Sequence, residues 1–524
     1  MKNRKKLYLK LASFLLIALV VFAGQPLPSE ARPPAAAAVL DTSKELNKIP
    51  KYIFLFIGDG MSFPQITALG HYNGTIENNF TGTVDAPTPD NMPKATMPSF
   101  INFPVIGAAS TYDASKFITD SASAATAIAC GVKTLDGMLG MDAYNNRVES
   151  IAETLKTKYG YNVGIISTVS LNHATPAGFY AHVASRNSYY DIGLDLIASN
   201  FDFFGGGGLI QLTGKENDKD SLLELAEKAG YNVVGTLEGI DSLNFNSGKT
   251  IAINPILDNK SDVAMNYLID RDEKELGLSV FVQKAIDVMG ENAPFFIMTE
   301  GGKIDWSCHA NDAYTTIQEI KDLEAAVNVA VKFYDRHPNE TLIIVTGDHE
   351  TGGFSMGYGG TGYNTYMALL GRQKISFKKF ADDYIAGYRE KNTPFETAMK
   401  DVKNLFGLTL PNDPDATAAE EASLVLSKSE VLRLKEAYAI SMTPYKERKR
   451  DLEYKAQYSI YDHEPFQIMI THILNSRAGL GWSTTAHSGL PVAVCAKGVG
   501  QSLFGDFYDN TEISKKIKFL VGLN

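Results

Sequence analysis

Five short apolar runs, each bounded by turn-forming residues, recur along this chain with helical patterns between them. They lie at 52–57, 162–167, 295–298, 342–345 and 492–495. Runs of this length are typical of buried strands, and their alternation with helices is typical of parallel pairing. We therefore expect an α/β fold in which a large, mostly parallel sheet is flanked by helices on both faces.

The length of the chain allows such a sheet together with additional segments. With 524 residues, of which 44% are apolar, the chain can bury a full core in one large domain with insertions or in two domains. Between 366 and 461 the sequence becomes charged, shows helical patterns and contains no candidate ligand. We interpret 366–461 as a helical insertion or cap, and 49–365 together with 462–524 as the α/β domain.

The amino terminus has the pattern of a secretory signal. Lys2, Arg4, Lys5 and Lys6 precede an apolar run at 11–23, and Ser29-Glu30-Ala31 fits a small-x-small cleavage site. An uncleaved membrane anchor is the alternative, but the run is shorter than the ~20 residues that a bilayer span needs. We predict a signal peptide at 1–31, a linker at 32–48, and a secreted or periplasmic protein without a membrane span after cleavage.

Charge and cysteine content exclude several classes of protein. Loss of residues 1–31 would change the formal net charge from −11 to −15. Such an acidic chain argues against nucleic-acid binding through a basic face, and it means that an anionic substrate needs a local positive centre. Three cysteines without a CxxC pair exclude a disulfide scaffold and a cysteine zinc site, and buried free thiols are favoured over one disulfide.

Polar residues that suit metal ions follow several of the predicted strands. Asp59, Glu300 and Asp348 come one to three residues after such a strand, and His173 follows a little further on. Open α/β sheets place their ligands at the carboxyl ends of the strands, so these side chains are expected to meet. Carboxylates and imidazoles suit zinc and magnesium where paired cysteines are absent.

Two further patterns strengthen the prediction of a metal site. Asp305 and His309 are four residues apart in a turn that leads into a helix, so they could share one face and hold one ion. Asp348 and His349 are adjacent and precede a Gly-Gly turn, which fits a tight loop over a metal. Taken alone, the first spacing is weak evidence, and an Asp-His pair is more often a helix cap.

The segment TDSASAATA is a candidate site for a nucleophile. Taken alone it is merely a helix start at Thr119 or Asp120. In the functional interpretation, Ser121 lies at the positive end of this helix beside a cation, which lowers the pKa of the hydroxyl group. Arg186 is suited to grip two phosphoryl oxygens, although a solvated helix arginine is the alternative.

The candidate residues fall in six segments whose order is specific. They are IFLFIGDGM with Asp59, FITDSASAATA with Ser121, NHATPAGFYAHVASR with His173, Thr175 and Arg186, MTEGGKIDWSCH with Glu300, Asp305 and His309, VTGDHETGG with Asp348 and His349, and TTAHSGLPVAV with His487. In this order they resemble the alkaline phosphatase family. The matches are dense from 51 to 186 and from 295 to 353, and they return at 486–500.

The resemblance implies a metal-dependent phosphomonoesterase with two zinc ions and one magnesium ion per chain. Residues matching Asp305, His309 and His487 hold one zinc in that family, those matching Asp59, Asp348 and His349 hold the second, and those matching Asp59, Thr175 and Glu300 hold magnesium. Ser121 matches the nucleophile that becomes phosphoserine, and Arg186 matches the phosphate-binding arginine. Hydrolysis of small phosphate monoesters at alkaline pH and a homodimer are also implied, although the insertion could change the oligomeric state.

Two positions place the chain in a subgroup of this family. His173 stands where some members have aspartate, and Trp306 stands where others have lysine or histidine. The resemblance to the His/Trp subgroup implies a third site that is less selective for magnesium. The role of Trp306 stays open, because its indole offers one neutral donor and cannot replace an ammonium group.

Two alternative functions remain. A phosphodiesterase or sulfatase of the same superfamily is the nearer one, but diesterases usually lack the arginine that Arg186 matches, and the CxPxR or SxPxR motif of sulfatases is absent. The other is a secreted phosphate- or metal-binding protein that has lost turnover, which predicts a missing ligand or nucleophile. No such residue is missing from the six segments.

Overall fold

The structure is a computed structural model that describes residues 48–258, 262–417, 422–461 and 463–523. The predicted signal peptide at 1–31, and all of the predicted linker except Lys48, lie outside the described residues. The described residues fall in one compact unit. Among them, no helix is both long and apolar enough to cross a bilayer.

Fourteen strands occur in the described part of the chain. They are β1 (Tyr52–Gly58), β2 (Val105–Ser110), β3 (Asn162–Ser167), β4 (Phe203–Gly206), β5 (Asn232–Val234), β6 (Thr250–Ile253), β7 (Phe295–Gly301), β8 (Thr341–Gly347), β9 (Glu350–Thr351), β10 (Phe354–Met356), β11 (Leu480–Trp482), β12 (His487–Ser488), β13 (Val492–Gly498) and β14 (Asp506–Asp509).

The helices complete the alternating pattern. They are α1 (Phe63–Asn78), α2 (Ser121–Cys130), α3 (Ile151–Tyr159), α4 (Ala174–Ala177), α5 (Tyr189–Ala198), α6 (Leu222–Lys228), α7 (Leu237–Asp241), α8 (Leu278–Met289), α9 (Lys303–His309), α10 (Ala313–Arg336), α11 (Phe377–Phe380), α12 (Ala386–Lys391), α13 (Phe395–Phe406), α14 (Lys428–Met442), α15 (Leu452–Gln457), α16 (Pro465–Ala478) and α17 (Thr511–Leu520). A π-helical turn at Ala381–Ile385 joins α11 to α12.

Ten of the strands form one sheet, in the order β14-β2-β13-β8-β1-β7-β3-β4-β6-β5. Every neighbouring pair is parallel except the two pairs made by β13, which runs antiparallel to β2 and β8. Successive residues of β1 point to opposite faces, and both faces are covered. Phe54 packs in one apolar cluster with Phe281 of α8 and Ile317 of α10, whereas Leu55 packs in another with Ile128 of α2. The predicted fold class is confirmed.

The predicted strands are found, but three of them extend by two or more residues beyond the predicted carboxyl end. The run at 295–298 continues to Gly301, so Glu300 lies inside β7 rather than beyond it. The runs at 342–345 and 492–495 continue to Gly347 and Gly498. The extensions contain polar residues, which interrupt the apolar pattern although their backbones still pair with neighbouring strands.

The predicted insertion at 366–461 lies within the longer connection between β10 and β11, two strands that pair antiparallel. It is mostly helical, and α16 follows it. Phe380 of α11, Phe406 of α13 and Phe466 of α16 belong to the same apolar cluster as Phe54 of β1. The connection therefore packs on one face of the sheet. The domain boundaries given in the sequence analysis remain a prediction. Cys130, Cys308 and Cys495 are free and buried.

Candidate functional site

The carboxyl ends of four adjacent strands carry polar residues that meet at one edge of the sheet. In the order β8, β1, β7 and β3, Asp348 follows β8, Asp59 follows β1, Glu300 lies near the end of β7, and Thr175 lies in α4 after β3. All four are buried. Because these strands are parallel and in register, their ends bring the side chains together.

The antiparallel strand β13 brings His487 to the same edge. Since β13 runs opposite to β8, the residues that precede β13 lie where β8 ends. His487 is in β12, which pairs with β9 directly after Asp348 and His349. The sheet topology therefore explains how a residue near the carboxyl terminus reaches ligands from the middle of the chain.

Asp305, His309 and His487 form the first group of potential metal ligands. One ligand atom from each lies within 4.8 Å of the others. His309 Nε2 is 3.1 Å from Asp305 Oδ2 and 3.2 Å from His487 Nε2. The Nδ1 atoms of His309 and His487 each lie 2.7 Å from a backbone carbonyl oxygen, which orients Nε2 toward the group. Asp305 and His309 come from α9, as their spacing predicts.

Asp59, Asp348 and His349 form the second group, and it lies against Ser121. Their ligand atoms are also within 4.8 Å of one another. Ser121 Oγ is 3.2 Å from His349 Nε2 and 3.5 Å from Asp59 Oδ1. The rings of His349 and His487 stack with centroids 3.7 Å apart, so the two groups adjoin.

The residues predicted to hold magnesium also lie close together, whereas His173 belongs to neither of the two groups described above. Thr175 Oγ1 donates to Asp59 Oδ2 at 3.3 Å, and Glu300 accepts from Ser167 and lies near enough to Asp59 to repel its carboxylate. His173 lines the cavity above Ser121, and its ring stands edge-on to Trp306 with centroids 5.8 Å apart. Its Nδ1 atom is buried without a hydrogen-bond partner among the described residues.

The donor set fits divalent cations. Buried side-chain oxygens of Glu300 and Asp348 have no hydrogen-bond partner in the described part of the chain. Buried polar atoms are normally paired, and clustered buried carboxylates need a counter-ion. Imidazole and carboxylate ligands in two adjoining groups suit zinc, and the oxygens of Asp59, Thr175 and Glu300 suit magnesium.

Without cations, charge is disfavoured on Asp59, Glu300 and His349. Burial, followed by repulsion from neighbouring carboxylates, raises the pKa of Asp59 well above its usual range. Burial likewise raises the pKa of Glu300 to about 7. Burial lowers the pKa of His349, and the positive charge of neighbouring histidines adds to the effect. The His349 imidazole is therefore held in the neutral form that binds metal ions.

Arg186 reaches the site through an ion pair that the sequence analysis did not anticipate. Arg186 Nη1 is 2.9 Å from Asp120 Oδ2. Asp120 also caps α2 by accepting from Ser123 N, and it accepts from Gly137 N. The guanidinium holds the pKa of Asp120 well below its usual range against the opposing effect of burial. One carboxylate therefore fixes both the helix that begins at Ser121 and the arginine beside it.

The sequence analysis did not identify several other residues that lie around the site. Thr351 bonds to Asp305 and lies 3.3 Å from His349 Nδ1, and Ser167 bonds to Glu300. Tyr461 packs on the ring of His309 at 4.3 Å, and His463 lines the same cavity. The segment VTGDHETGG contains Thr351 and could have pointed to it. No local pattern marks Tyr461 or His463.

The site opens into a cavity of about 810 Å³. Ser121, Arg186, His173 and the first ligand group lie in its lining together with residues from the connection between β10 and β11. Cavities of this size hold small molecules. The arrangement therefore provides a hydroxyl group, a guanidinium and metal ligands in one cavity.

His182 is expected to make stability depend on pH without being a ligand. Its Nδ1 lies 2.7 Å from the Gly140 carbonyl oxygen and its Nε2 lies 2.9 Å from Glu153 Oε1, so both nitrogens donate only in the charged form. Burial opposes this charge, but the hydrogen bonds to Glu153 and Gly140 outweigh burial and raise the pKa of His182. The stabilisation is complete below the ordinary pKa of about 6.5 and is lost as pH rises through the higher folded value.

Urea unfolding of the wild type and His182→Gln at pH 6 and pH 9 tests this expectation. The free energy of unfolding of the wild type should exceed that of the variant at pH 6, and this excess should be smaller at pH 9. Solvent screening limits the fall in the excess between the two pH values to below about 1 kcal/mol. An equal difference at both pH values would contradict the charged assignment of His182.

Comparison with known proteins identifies the family of this chain. The family model described as alkaline phosphatase matches residues 50–523. Alkaline phosphatase 4 of Bacillus subtilis (strain 168) is 30% identical, with 98% of this chain and 96% of that protein covered.

Solved structures show the same likeness. The crystal structure of a cold-active alkaline phosphatase from the psychrophile Shewanella sp. has a TM-score of 0.68 and 26% identity, covering 90% of this chain and 99% of that one. A histidine-to-glutamate mutant of the alkaline phosphatase from TAB5, described with Mg bound in the M3 site, has a TM-score of 0.57 and 27% identity, with 91% and 99% covered. The chain belongs to the alkaline phosphatase family and is an enzyme of the phosphatase type.

Proposed function

We propose that this chain is a secreted, metal-dependent phosphomonoesterase that hydrolyses small phosphate monoesters at alkaline pH through a phosphoserine at Ser121. The observation that carries the proposal is the position of Ser121 Oγ. It lies 3.2 Å from His349 and 3.5 Å from Asp59, at the first residue of α2 and in the same cavity as Arg186. A hydroxyl group beside a cation site and a helix amino terminus is suited to nucleophilic attack on an anionic ester.

The reaction transfers the phosphoryl group twice. Ser121 Oγ forms a bond to phosphorus while the bond from phosphorus to the ester oxygen breaks, and the departing oxygen keeps the electron pair and takes a proton. Water then attacks the phosphoserine, inorganic phosphate leaves, and Ser121 regains its proton. Arg186 binds two phosphoryl oxygens in a bidentate fork, and Asp120 holds its guanidinium at 2.9 Å.

We propose one ion for each group of ligands. Asp305, His309 and His487 would hold one zinc, and Asp59, Asp348 and His349 would hold the second. Asp59, Thr175 and Glu300 would hold magnesium, and a mutant of the TAB5 enzyme is described with Mg bound in its M3 site. When bound, such ions stabilise the charge on the attacking and departing oxygens.

The third site is proposed to be less selective for magnesium than in family members with aspartate at position 173. His173 brings an imidazole, a ligand that also suits zinc, to the lining of the cavity. Its edge-on contact with Trp306 fixes the ring beside the site. Metal analysis after dialysis against mixed zinc and magnesium tests this selectivity, and an aspartate variant at position 173 is the matched comparison.

We expect fast release of phosphate from 4-nitrophenyl phosphate and slow hydrolysis of bis(4-nitrophenyl) phosphate. A monoester has three free phosphoryl oxygens and a diester has two, so a diester cannot offer two oxygens to Arg186 and a third to the metal ligand groups. Rates measured from pH 7 to pH 10, with zinc and magnesium and after chelation, should be highest at alkaline pH and vanish without metal. Preference for the diester would instead support a phosphodiesterase.

Secretion and assembly have their own tests. The signal-like pattern predicts a mature protein that begins near Arg32, which mass spectrometry of protein from the culture medium or periplasm would detect. A homodimer is proposed from the family, and light scattering on the mature protein measures the oligomeric state.

A further inference from the structure

Glu350 is a buried carboxylate that lies beside the metal ligands but belongs to neither ligand group. It comes directly after Asp348 and His349, and its side chain has no exposed surface. Burial of a carboxylate is costly unless hydrogen bonds or a cation compensate for the lost water. The partners of its two oxygens therefore indicate why a glutamate stands at this position.

Four hydrogen-bond donors from different segments converge on this carboxylate. Its Oε1 accepts from Gln65 Nε2 at 2.7 Å and from the backbone N–H of Phe354 at 2.9 Å. Its Oε2 accepts from the backbone N–H of Gly353 at 3.0 Å and from the hydroxyl group of Ser488. An ionised carboxylate only accepts, and its two oxygens have about four acceptor positions, so the four donors match its capacity.

The segments joined in this way also carry metal ligands. Ser488 follows His487 directly, and it stands opposite the glutamate where β9 pairs with β12. Gln65 lies in the first turn of α1, in the stretch of chain that follows Asp59. The glutamate itself comes after His349. One side chain therefore connects a ligand of the first group, His487, with the segments that supply the second group.

Gln65 is held in the orientation that this contact requires. Its Oε1 accepts from the backbone N–H of Ser62 at 3.1 Å, while its Nε2 also donates to the carbonyl oxygen of Thr351 at 3.0 Å. Ser62 Oγ in turn donates to the carbonyl oxygen of Pro491, between β12 and β13, at 2.6 Å. The network therefore closes from the start of α1 through β9 to the end of β12.

We propose that Glu350 is a positioning residue that holds the segments of His349 and His487 at the spacing that zinc requires, before zinc binds. The two imidazole rings stack with centroids 3.7 Å apart, so displacement of either segment changes both ligand groups. Residues that orient metal ligands without touching the ion commonly change metal affinity. The inference rests on the zinc sites of the proposed function, but its main test needs no turnover.

Zinc titration of metal-free Glu350→Gln, in competition with a chromophoric chelator, tests this role. The carboxamide has nearly the shape of the carboxylate, but its NH2 group has to point at donors on one side. In either orientation one backbone N–H, that of Gly353 or that of Phe354, loses its acceptor. We expect zinc to bind at least about 10-fold more weakly than to the wild type.

Glu319→Gln is the matched control for a general loss of stability. Glu319 is also buried, lies in α10 and accepts from the backbone N–H of Leu268 at 2.6 Å. It lies outside both ligand groups and outside the cavity lining. The control should bind zinc as the wild type does, even where thermal unfolding shows a lower Tm.

Ser488→Ala provides a milder variant in case Glu350→Gln does not fold. It keeps the carboxylate and removes one of its four donors, so the link to the segment of His487 is weakened. We expect zinc binding to weaken by about 2- to 10-fold, which corresponds to the loss of one hydrogen bond.

Hydrogen exchange measured by mass spectrometry reports the segment directly in the absence of metal. Peptides that cover 349–354 should exchange slowly in the metal-free wild type, because Glu350 accepts from the backbone of Gly353 and Phe354. The same peptides should exchange faster in Glu350→Gln. Fast exchange in the wild type would overturn the claim that the segment is positioned before zinc binds.

Turnover separates this role from the proposed function. The zinc concentration that gives half-maximal phosphate release should rise in Glu350→Gln by the same factor as the dissociation constant. Weaker zinc binding by this variant, with no turnover by the wild type at any zinc concentration, would support the positioning role and overturn the proposed function. Unchanged zinc affinity in Glu350→Gln, or in Ser488→Ala where the former does not fold, would overturn the positioning role, and so would equal weakening in Glu319→Gln.

Discussion

Replacement of Ser121 by alanine is expected to lower kcat for phosphate monoesters by on the order of 10⁴-fold or more, as loss of a covalent nucleophile does in other hydrolases. Ser121 Oγ is the hydroxyl oxygen that lies 3.2 Å from His349 in the cavity with Arg186. Alanine removes this oxygen but preserves the helix, because α2 is already rich in alanine. Steady-state rates and thermal unfolding of the metal-loaded variant measure the two effects separately.

Trapping of the phosphoserine distinguishes this role from a structural one. Acid quenching during turnover should leave phosphate covalently bound to the wild type at Ser121, and none on the variant. Ser123→Ala is the matched control in the same helix, since Ser123 Oγ contacts Asp120 and Thr119 and is not a predicted ligand. It should lose far less activity. Retention of most activity by Ser121→Ala would rule out Ser121 as the nucleophile.

The sheet could be predicted from the sequence because its central strands are buried on both faces. Every residue of β1, β7 and β8 is buried, so the apolar run itself marks the strand. The carboxyl ends of the strands were harder to predict. In β7, Thr299 and Glu300 interrupt the apolar pattern although their backbones pair with β1. A polar residue that faces a functional site therefore looks like the start of a loop.

The candidate site residues lie close together because they belong to short segments tied to strand ends. Their joint roles stay a prediction, but the positions of Asp59, Glu300 and Asp348 follow directly from strand order. Tyr461 and His463 could not be found in this way. They reach the cavity through the path of a long connection, and each is ordinary in its own segment. Contacts between distant segments leave no local periodicity.

The carboxylates of the site should make metal removal strongly destabilising. Asp59, Glu300, Asp305 and Asp348 are buried together, and the repulsion among them adds to burial in raising the pKa of Asp59. An ion present at about 1,000 times its dissociation constant stabilises the folded chain by about 4 kcal/mol, and chelation forfeits that amount. Thermal unfolding with and without chelator should show a large fall in Tm, restored by zinc and magnesium.

Asp59→Asn should destabilise the metal-loaded protein but stabilise the chelated, metal-free protein. In the metal-loaded protein the change removes a ligand from the second group and from the predicted magnesium site, so Tm should fall and activity should be largely lost. In the chelated protein the pKa of Asp59 is raised, so folding of the wild type must either bury the charge of this carboxylate or take up a proton, and asparagine avoids that cost. The free energy of unfolding of the variant should therefore exceed that of the wild type by about 1–4 kcal/mol. This change of sign is expected only if cations, rather than protein contacts, hold the carboxylates together.

Asp312→Asn is the matched control for this change of sign in the stability effect. Asp312 is also fully buried, but its carboxylate accepts hydrogen bonds from Thr315, Gln373 and the backbone of Phe377. Its replacement weakens those bonds whether or not metal is present, so the control should be destabilised to a similar degree in both conditions. A change of the same sign for Asp59→Asn with and without chelator would show that repulsion among the carboxylates does not govern the stability of the metal-free protein.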